Sequence, residues 1–189
     1  MNTDSFPIEE NGLFSLTPEI KALVDGTFDY ENMRIYFWRG VFSQWHKAPI
    51  HDPFLHITGN CAEQLMMAYK AAVFEDFDSM RKIMETLNAR KQKEIGRAVK
   101  GYDDAVWKAK RFEVVTHISE LKFFQNAQLK EVMVATQDFE LVEASPEDEI
   151  WGIGIAENHP DIKDKSKWPG LNLLGKALME ARKAILTTV

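Results

Sequence analysis

The 189-residue chain has a single cysteine, Cys61, so it can form no intrachain disulfide, and no Cys-x-x-Cys pair exists to hold zinc. Its five histidines, at 46, 51, 56, 117 and 159, show neither His-x-x-x-His nor a Glu-flanked zinc spacing. No metal and no cofactor is therefore expected. No run of eighteen apolar residues occurs, which argues against a membrane-spanning helix. The first thirty residues carry Asp4, Pro7, Glu9 and Glu10 without a basic start or an unbroken apolar stretch. No signal peptide is expected, and the reading is a reducing, cytoplasmic setting. Basic residues are in deficit, 23 against 29 acidic ones. The resulting net charge of −6 disfavours a nonspecific nucleic-acid coat but leaves local basic pockets open. No nucleophile-elbow sequence supports a Ser-His-Asp triad.

What the chain does contain is enough apolar sequence, 45% of residues, for the core of one domain. Residues 1–32 mix acidic and turn-forming residues and read as an N-terminal extension that packs late or stays loose. TPEIKALV within it can form a short helix, with Thr17 as N-cap and Pro18 at the first helical position. From Met33 to Trp45 the aromatic and β-branched run MRIYFWRGVFSQW favours a strand. Arg39 lies in that run, either as an exposed side chain over an aromatic ring or as a ligand contact. HDPFLHITG, from His51, reads as a second strand.

Helical spacing follows over Phe77–Leu87 and Ala89–Val99, then along a helix capped by Asp103 or Asp104 and running to Phe124, with another turn or two from Gln128 to Ala135. In the basic run Lys91, Lys93, Arg97, Lys100, all but Arg97 are assigned to a solvated face. FELVEA reads as a short strand, and Glu157–Gly170 as a polar surface loop and candidate lid. The last element presents Leu171, Leu174, Leu178, Ala181 and Ile185 as one stripe of a docking helix. The expected class is α+β, mainly α-helical, in one compact domain with a small β-sheet.

The stretch Asn60–Phe74, NCAEQLMMAYKAAVF, is apolar around its whole circumference, as in a core helix, yet carries Glu63 and Lys70. Seven positions apart, these project on nearly one side, roughly 10 Å apart along the axis. Buried charges are expensive unless paired or used. They therefore belong either to structural ion pairs or a surface first turn, or to a functional site.

The ordered segments YFWRGVFSQW, AEQLMMAYKA, IGRAV, LKFFQN, LVEASPEDEIWGIG and WPGLNLLGKALMEAR resemble the NADAR family, also called YbiA-like, from about Tyr36 to Leu186. Residues 33–189 would then form the NADAR (YbiA-like) domain. The resemblance implies an N-glycosidase cleaving the bond between a ribose C1 and a base nitrogen. Its implied small-molecule substrates are phosphoribosylamino-pyrimidine intermediates of riboflavin synthesis, or ADP-ribose attached to guanine. Carried over by motif, the site residues are Glu63 with Lys70, Gly96 with Arg97, Lys122 with Phe123, Asp148 with Trp151 and Gly152, and Asn172 with Gly175. One branch of the family has an Asp directly after Trp-Gly; here Ile153 follows, and Asp148 is expected to assume its duty.

Breaking a ribosyl C–N bond develops positive charge at C1 and negative charge on the departing base. The expected roles are Glu63 facing the sugar and Asp148 orienting water or handling the proton. Arg39, Lys70, Arg97 and Lys122 are the candidate phosphate ligands. Trp151 stacks on the base or anchors its loop, and Asn172 binds substrate or satisfies backbone. The alternative from another class is a module that binds ADP-ribose or a related nucleotide without turnover.

Overall fold

The computed structural model describes residues 16–188. The expected extension lies in part outside the described residues, and from Leu16 onward it is built into the fold. Thr17 caps α1 (Pro18–Val24), its hydroxyl accepting from the Ile20 amide. The chain then enters β1 (Gly26–Asp29), which pairs antiparallel with β2 (Arg34–Phe37).

The strand expected over 33–45 stops at Phe37. Gly40, at φ +67°, packs so tightly that a Cβ there would lie 2.0 Å from the Val24 carbonyl oxygen. Only glycine accepts that backbone without strain. The chain turns into a 3₁₀ segment, Gly40–Phe42, instead of continuing. The second expected strand is likewise divided, into β3 (Ile50–Asp52) and β4 (Ile57–Gly59), paired antiparallel. Asp52 makes the turn, one carboxylate oxygen accepting from the Phe54 and Leu55 amides at 2.8 and 2.9 Å.

Five helices follow: α2 (Ala62–Val73), α3 (Phe77–Glu85), α4 (Ala89–Arg97), α5 (Asp104–Gln125) and α6 (Ala127–Ala135). Asp103, not Asp104, caps α5 by accepting from the Val106 amide. β5 (Glu140–Glu143) adds parallel to β2, giving the sheet order β1-β2-β5. Finally α7 (Leu173–Thr187) buries Leu174, Leu178, Ala181 and Ile185 against the sheet and α5. Leu171, expected in that stripe, precedes the helix and is exposed.

α2 is the central helix, packed on α3, α4, α5 and β4, and buried from Ala62 to Ala68. α4 approaches it closely because Gly96 has no side chain: a Cβ would meet the Met67 sulfur at 2.1 Å. That approach sets Lys93 and Arg97 of α4 beside the start of α2. The expected lid, 157–170, is tacked to the sheet, Arg34 donating to the Lys163 carbonyl and Lys165 pairing with Glu140, and is braced within itself by the Trp168 indole donating to the Ile162 carbonyl. Among the described residues no helix is long and apolar enough to cross a membrane.

Candidate active site

The first turn of α2 is held from two directions. The Glu63 amide donates to the Gln44 carbonyl at 2.9 Å. The next side chain, Gln64, donates to the Ile83, Met84 and Thr86 carbonyls at the end of α3. Glu63 itself is 2% exposed, and its Oε1 is sealed from water without a hydrogen-bond partner. It is thus neither a surface carboxylate at a helix start nor one satisfied on both oxygens.

Among the described residues the other buried oxygens without partners are Gln44 Oε1, Glu143 Oε2 and the Tyr30 hydroxyl. Glu143 ends β5, and Asp148 lies in the turn beyond it. Burial is the main cause that pushes the Glu63 carboxyl up to about 7; Lys93 opposes the shift, Asp148 adds to it, and Trp45 and Arg97 oppose it. Burial likewise pushes Glu143 up to about 8, with the charges of Asp148 and Glu63 adding and Lys93 opposing. Glu63, Glu143, Asp148 and Lys93 therefore share one electrostatic neighbourhood. Lys93 lies over the Trp45 ring, 5.9 Å from its centroid, and Trp45 is 43% exposed, so the centre reaches solvent along this edge.

The expected site residues divide by what they touch. Asp148 places Oδ1 on the Ile150 and Trp151 amides, at 2.8 and 2.7 Å, which fixes the Trp-Gly turn. Trp151 is half-buried and packs on the main core. Asn172, at φ 52°, brackets β5: its Oδ1 accepts from the Glu143 amide at 3.0 Å and its Nδ2 donates to the Leu141 carbonyl at 3.0 Å. It acts on Glu143 through the backbone. Asn172→Ala removes both bonds and is expected to cost about 2–4 kcal/mol in denaturant unfolding. Turnover falls with it, because the strand end that aims Glu143 loosens.

Lys122 is fully buried and donates to the Val41 and Ser43 carbonyls at 2.6 and 2.9 Å. Burial lowers its pKa, while the two carbonyls favour its charged form. It clamps the segment that delivers Gln44 and Trp45, and its ammonium is spent on that task. Arg39 is exposed, stacked 5.6 Å over the Trp38 ring centroid, the first of its two expected settings. Arg97 is exposed and its charge acts on both Glu63 and Lys70, while Lys70 lies 4.2 Å over the ring centroid of Tyr102.

Sequence reasoning passed over Glu143, Lys93, Trp45 and Gln44. A signal existed for Glu143: a lone carboxylate in the apolar run Leu141-Val142-Glu143-Ala144. Lys93 had none, since one turn from Arg97 in a basic run it reads as a solvated residue.

A buried and a half-buried carboxyl held near neutrality, with a third carboxylate and a cation beside them, can keep one proton ready to donate while a second oxygen stays ionised. This is the equipment of acid–base chemistry at a carbon that becomes cationic. Among the described residues no three His, Cys, Asp or Glu side chains are grouped as metal ligands. Two surface grooves, one along α5 and α7 and one beside α7 and the turn after α6, are lined by none of the residues of this centre.

The chain is 39% identical over 148 residues to an N-glycosidase, R617, of Acanthamoeba polyphaga mimivirus, covering 75% of this chain and 85% of that one. It is 28% identical over 151 residues to the riboflavin biosynthesis protein VVA0006 of Vibrio vulnificus, covering 80% of this chain and 38% of that protein. The NMR structure of the E. coli protein YbiA superposes with a TM-score of 0.68 at 25% identity, covering 83% of this chain and 87% of that one. The model of the NADAR domain matches residues 36–186, and with most of its length inside that match the chain belongs to the NADAR domain family.

Proposed function

We propose that this protein is an N-glycosidase, a hydrolase that breaks the bond between a ribose C1 and the nitrogen of a base. The observation that carries this reading is the pair Glu63 and Glu143: the first buried and the second half-buried, each with a sealed oxygen lacking any partner, and both held near neutrality. A module that only binds an anionic nucleotide gains nothing from two such carboxyls, which repel its ligand when ionised and cost stability.

In this mechanism Glu143, the harder of the two to ionise, donates its proton to the leaving nitrogen as the C–N bond breaks and the base takes the electron pair. Ionised Glu63 faces the sugar, offsets positive charge at C1 and accepts a proton from the attacking water. The proton then passes from Glu63 back to Glu143, which resets the centre. The charge of Asp148 opposes ionisation of both carboxyls, and its Oδ1 holds the Trp-Gly turn. Trp45, exposed beside Glu63, offers a face on which the base stacks.

The substrates that fit are phosphorylated N-ribosides, either phosphoribosylamino-pyrimidines of riboflavin synthesis or guanine carrying ADP-ribose. Incubation with both classes, followed by chromatography for released base, is expected to show one cleaved at a rate proportional to enzyme. Binding of either without base release would overturn the hydrolase reading.

A further inference from the structure

Gln44 stands at this centre with a side chain that the chemistry above leaves unused, and it is 8% exposed. Its backbone is pinned from two directions. Its own carbonyl accepts from the Glu63 amide at 2.9 Å, and Lys122 holds the carbonyls of Val41 and Ser43 just before it. The side chain turns inward along α2, where its Nε2 meets the Met66 sulfur at 3.8 Å. Met66 lies one turn beyond Glu63 on the same face of α2. The Gln44 amide and the Glu63 carboxyl therefore sit on one side of that helix.

The Oε1 of Gln44 is sealed from water and accepts no hydrogen bond. The other two buried glutamines among the described residues are satisfied at both ends. Gln64 Oε1 accepts from the Asn60 amide at 2.7 Å while its Nε2 donates to three carbonyls, and Gln92 donates to the Thr86 carbonyl at 2.7 Å and accepts from the Cys61 thiol. A buried carbonyl without a donor destabilises the fold, and methionine would fill nearly the same space without that penalty. Ionised Glu63 supplies no donor, since a carboxylate only accepts. The donor that completes Gln44 comes from outside the chain.

We infer that Gln44 reads the sugar: its Oε1 accepts a hydrogen bond from the ribose 2′-hydroxyl and so sets a preference for ribosides over 2′-deoxyribosides. The inference rests on the N-glycosidase reading. Glu63 faces C1 in that reading, and the 2′-hydroxyl is carried by the carbon bonded to C1, on the side of α2 that the Gln44 amide shares. As positive charge grows at C1 this hydroxyl becomes a stronger donor, so the bond tightens in the transition state and acts on kcat as well as on KM. Trp45, next in the chain and 43% exposed beneath Lys93, covers the approach from solvent. A base that stacks on its ring displaces Lys93 and brings the ribose to Gln44.

The test compares one base attached to ribose, to 2′-deoxyribose and to arabinose, whose 2′-hydroxyl lies on the opposite face of the ring, with the same phosphorylation throughout. The wild-type protein is expected to cleave the riboside at least about 10-fold faster, in kcat/KM, than the arabinoside; equal rates overturn the inference. In Gln44→Met, which keeps the length of the side chain and removes the acceptor, the ratio of kcat/KM for riboside to deoxyriboside is expected to fall about 20-fold, with the loss falling mostly on the riboside. An unchanged ratio overturns the inference, and so does an equal loss on both substrates, because a merely structural glutamine would slow both alike. Should the variant fail to fold, the arabinoside comparison still decides, since it needs no variant. If none of the three releases base, the N-glycosidase reading falls and the role of Gln44 falls with it; base release with an unchanged ratio removes the role of Gln44 alone.

Discussion

Glu63→Gln is expected to lower single-turnover hydrolysis by about 10² or more, with substrate affinity changed little. The substitution keeps the shape and removes the charge that faces C1, so the loss falls on the transition state. Turnover within a few-fold of wild type would end the role assigned to Glu63. The same change is expected to stabilise the protein at neutral pH. Glu63 has its carboxyl raised from an ordinary 4.5 to about 7 by burial. A raised carboxyl leaves stability intact below the unfolded value, near pH 4.5, and removes it as pH climbs toward the folded value. The unfolding free-energy difference between Glu63→Gln and wild type should therefore be small near pH 4.5 and largest above pH 7, on the order of 1–3 kcal/mol. Loss of activity together with gained stability is the mark of a group kept for function, and a merely structural carboxylate would lose both.

Glu143→Gln is expected to cost a comparable factor, about 10² or more, for a different reason: an amide does not give up a proton to the leaving nitrogen. Its signature lies in the pH profile. With Glu63 acting ionised and Glu143 acting protonated, wild-type kcat should rise through a limb near pH 7 and fall through one near pH 8, the values to which burial raises them. In Glu143→Gln the alkaline limb disappears and the residual rate stays flat above pH 8. A substrate whose leaving base is more acidic, and departs without protonation, should recover much of the loss. If the variant keeps both limbs, or shows no such recovery, another group is the proton donor.

Lys122 and Asn172 show how a charged or amide side chain named by a sequence motif acts at one remove. Each donates to or accepts from backbone, Lys122 at the segment carrying Gln44 and Trp45, Asn172 at the strand end carrying Glu143. Their positions in the chain could not reveal this. A buried lysine and a phosphate-binding lysine are the same letter, and only the direction of the side chain separates them.

Several parts of this protein were legible in its residues alone. Thr17, Asp103 and the apolar stripe of α7 announce their helices through local geometry, because caps and 3.6-residue spacing act within a few residues. Glu63 and Lys70 announce themselves by being charged on a helix that is apolar all round. What residues near in sequence could not carry is the meeting of α2, α4 and β5: that Glu143 stands beside Glu63, and that Lys93 turns inward over Trp45. Each pairing spans from thirty to eighty positions of chain and depends on helix packing, such as Gly96 against Met67, for which no local pattern codes. Buried charges find their partners, or lack them, only once the core has closed around them.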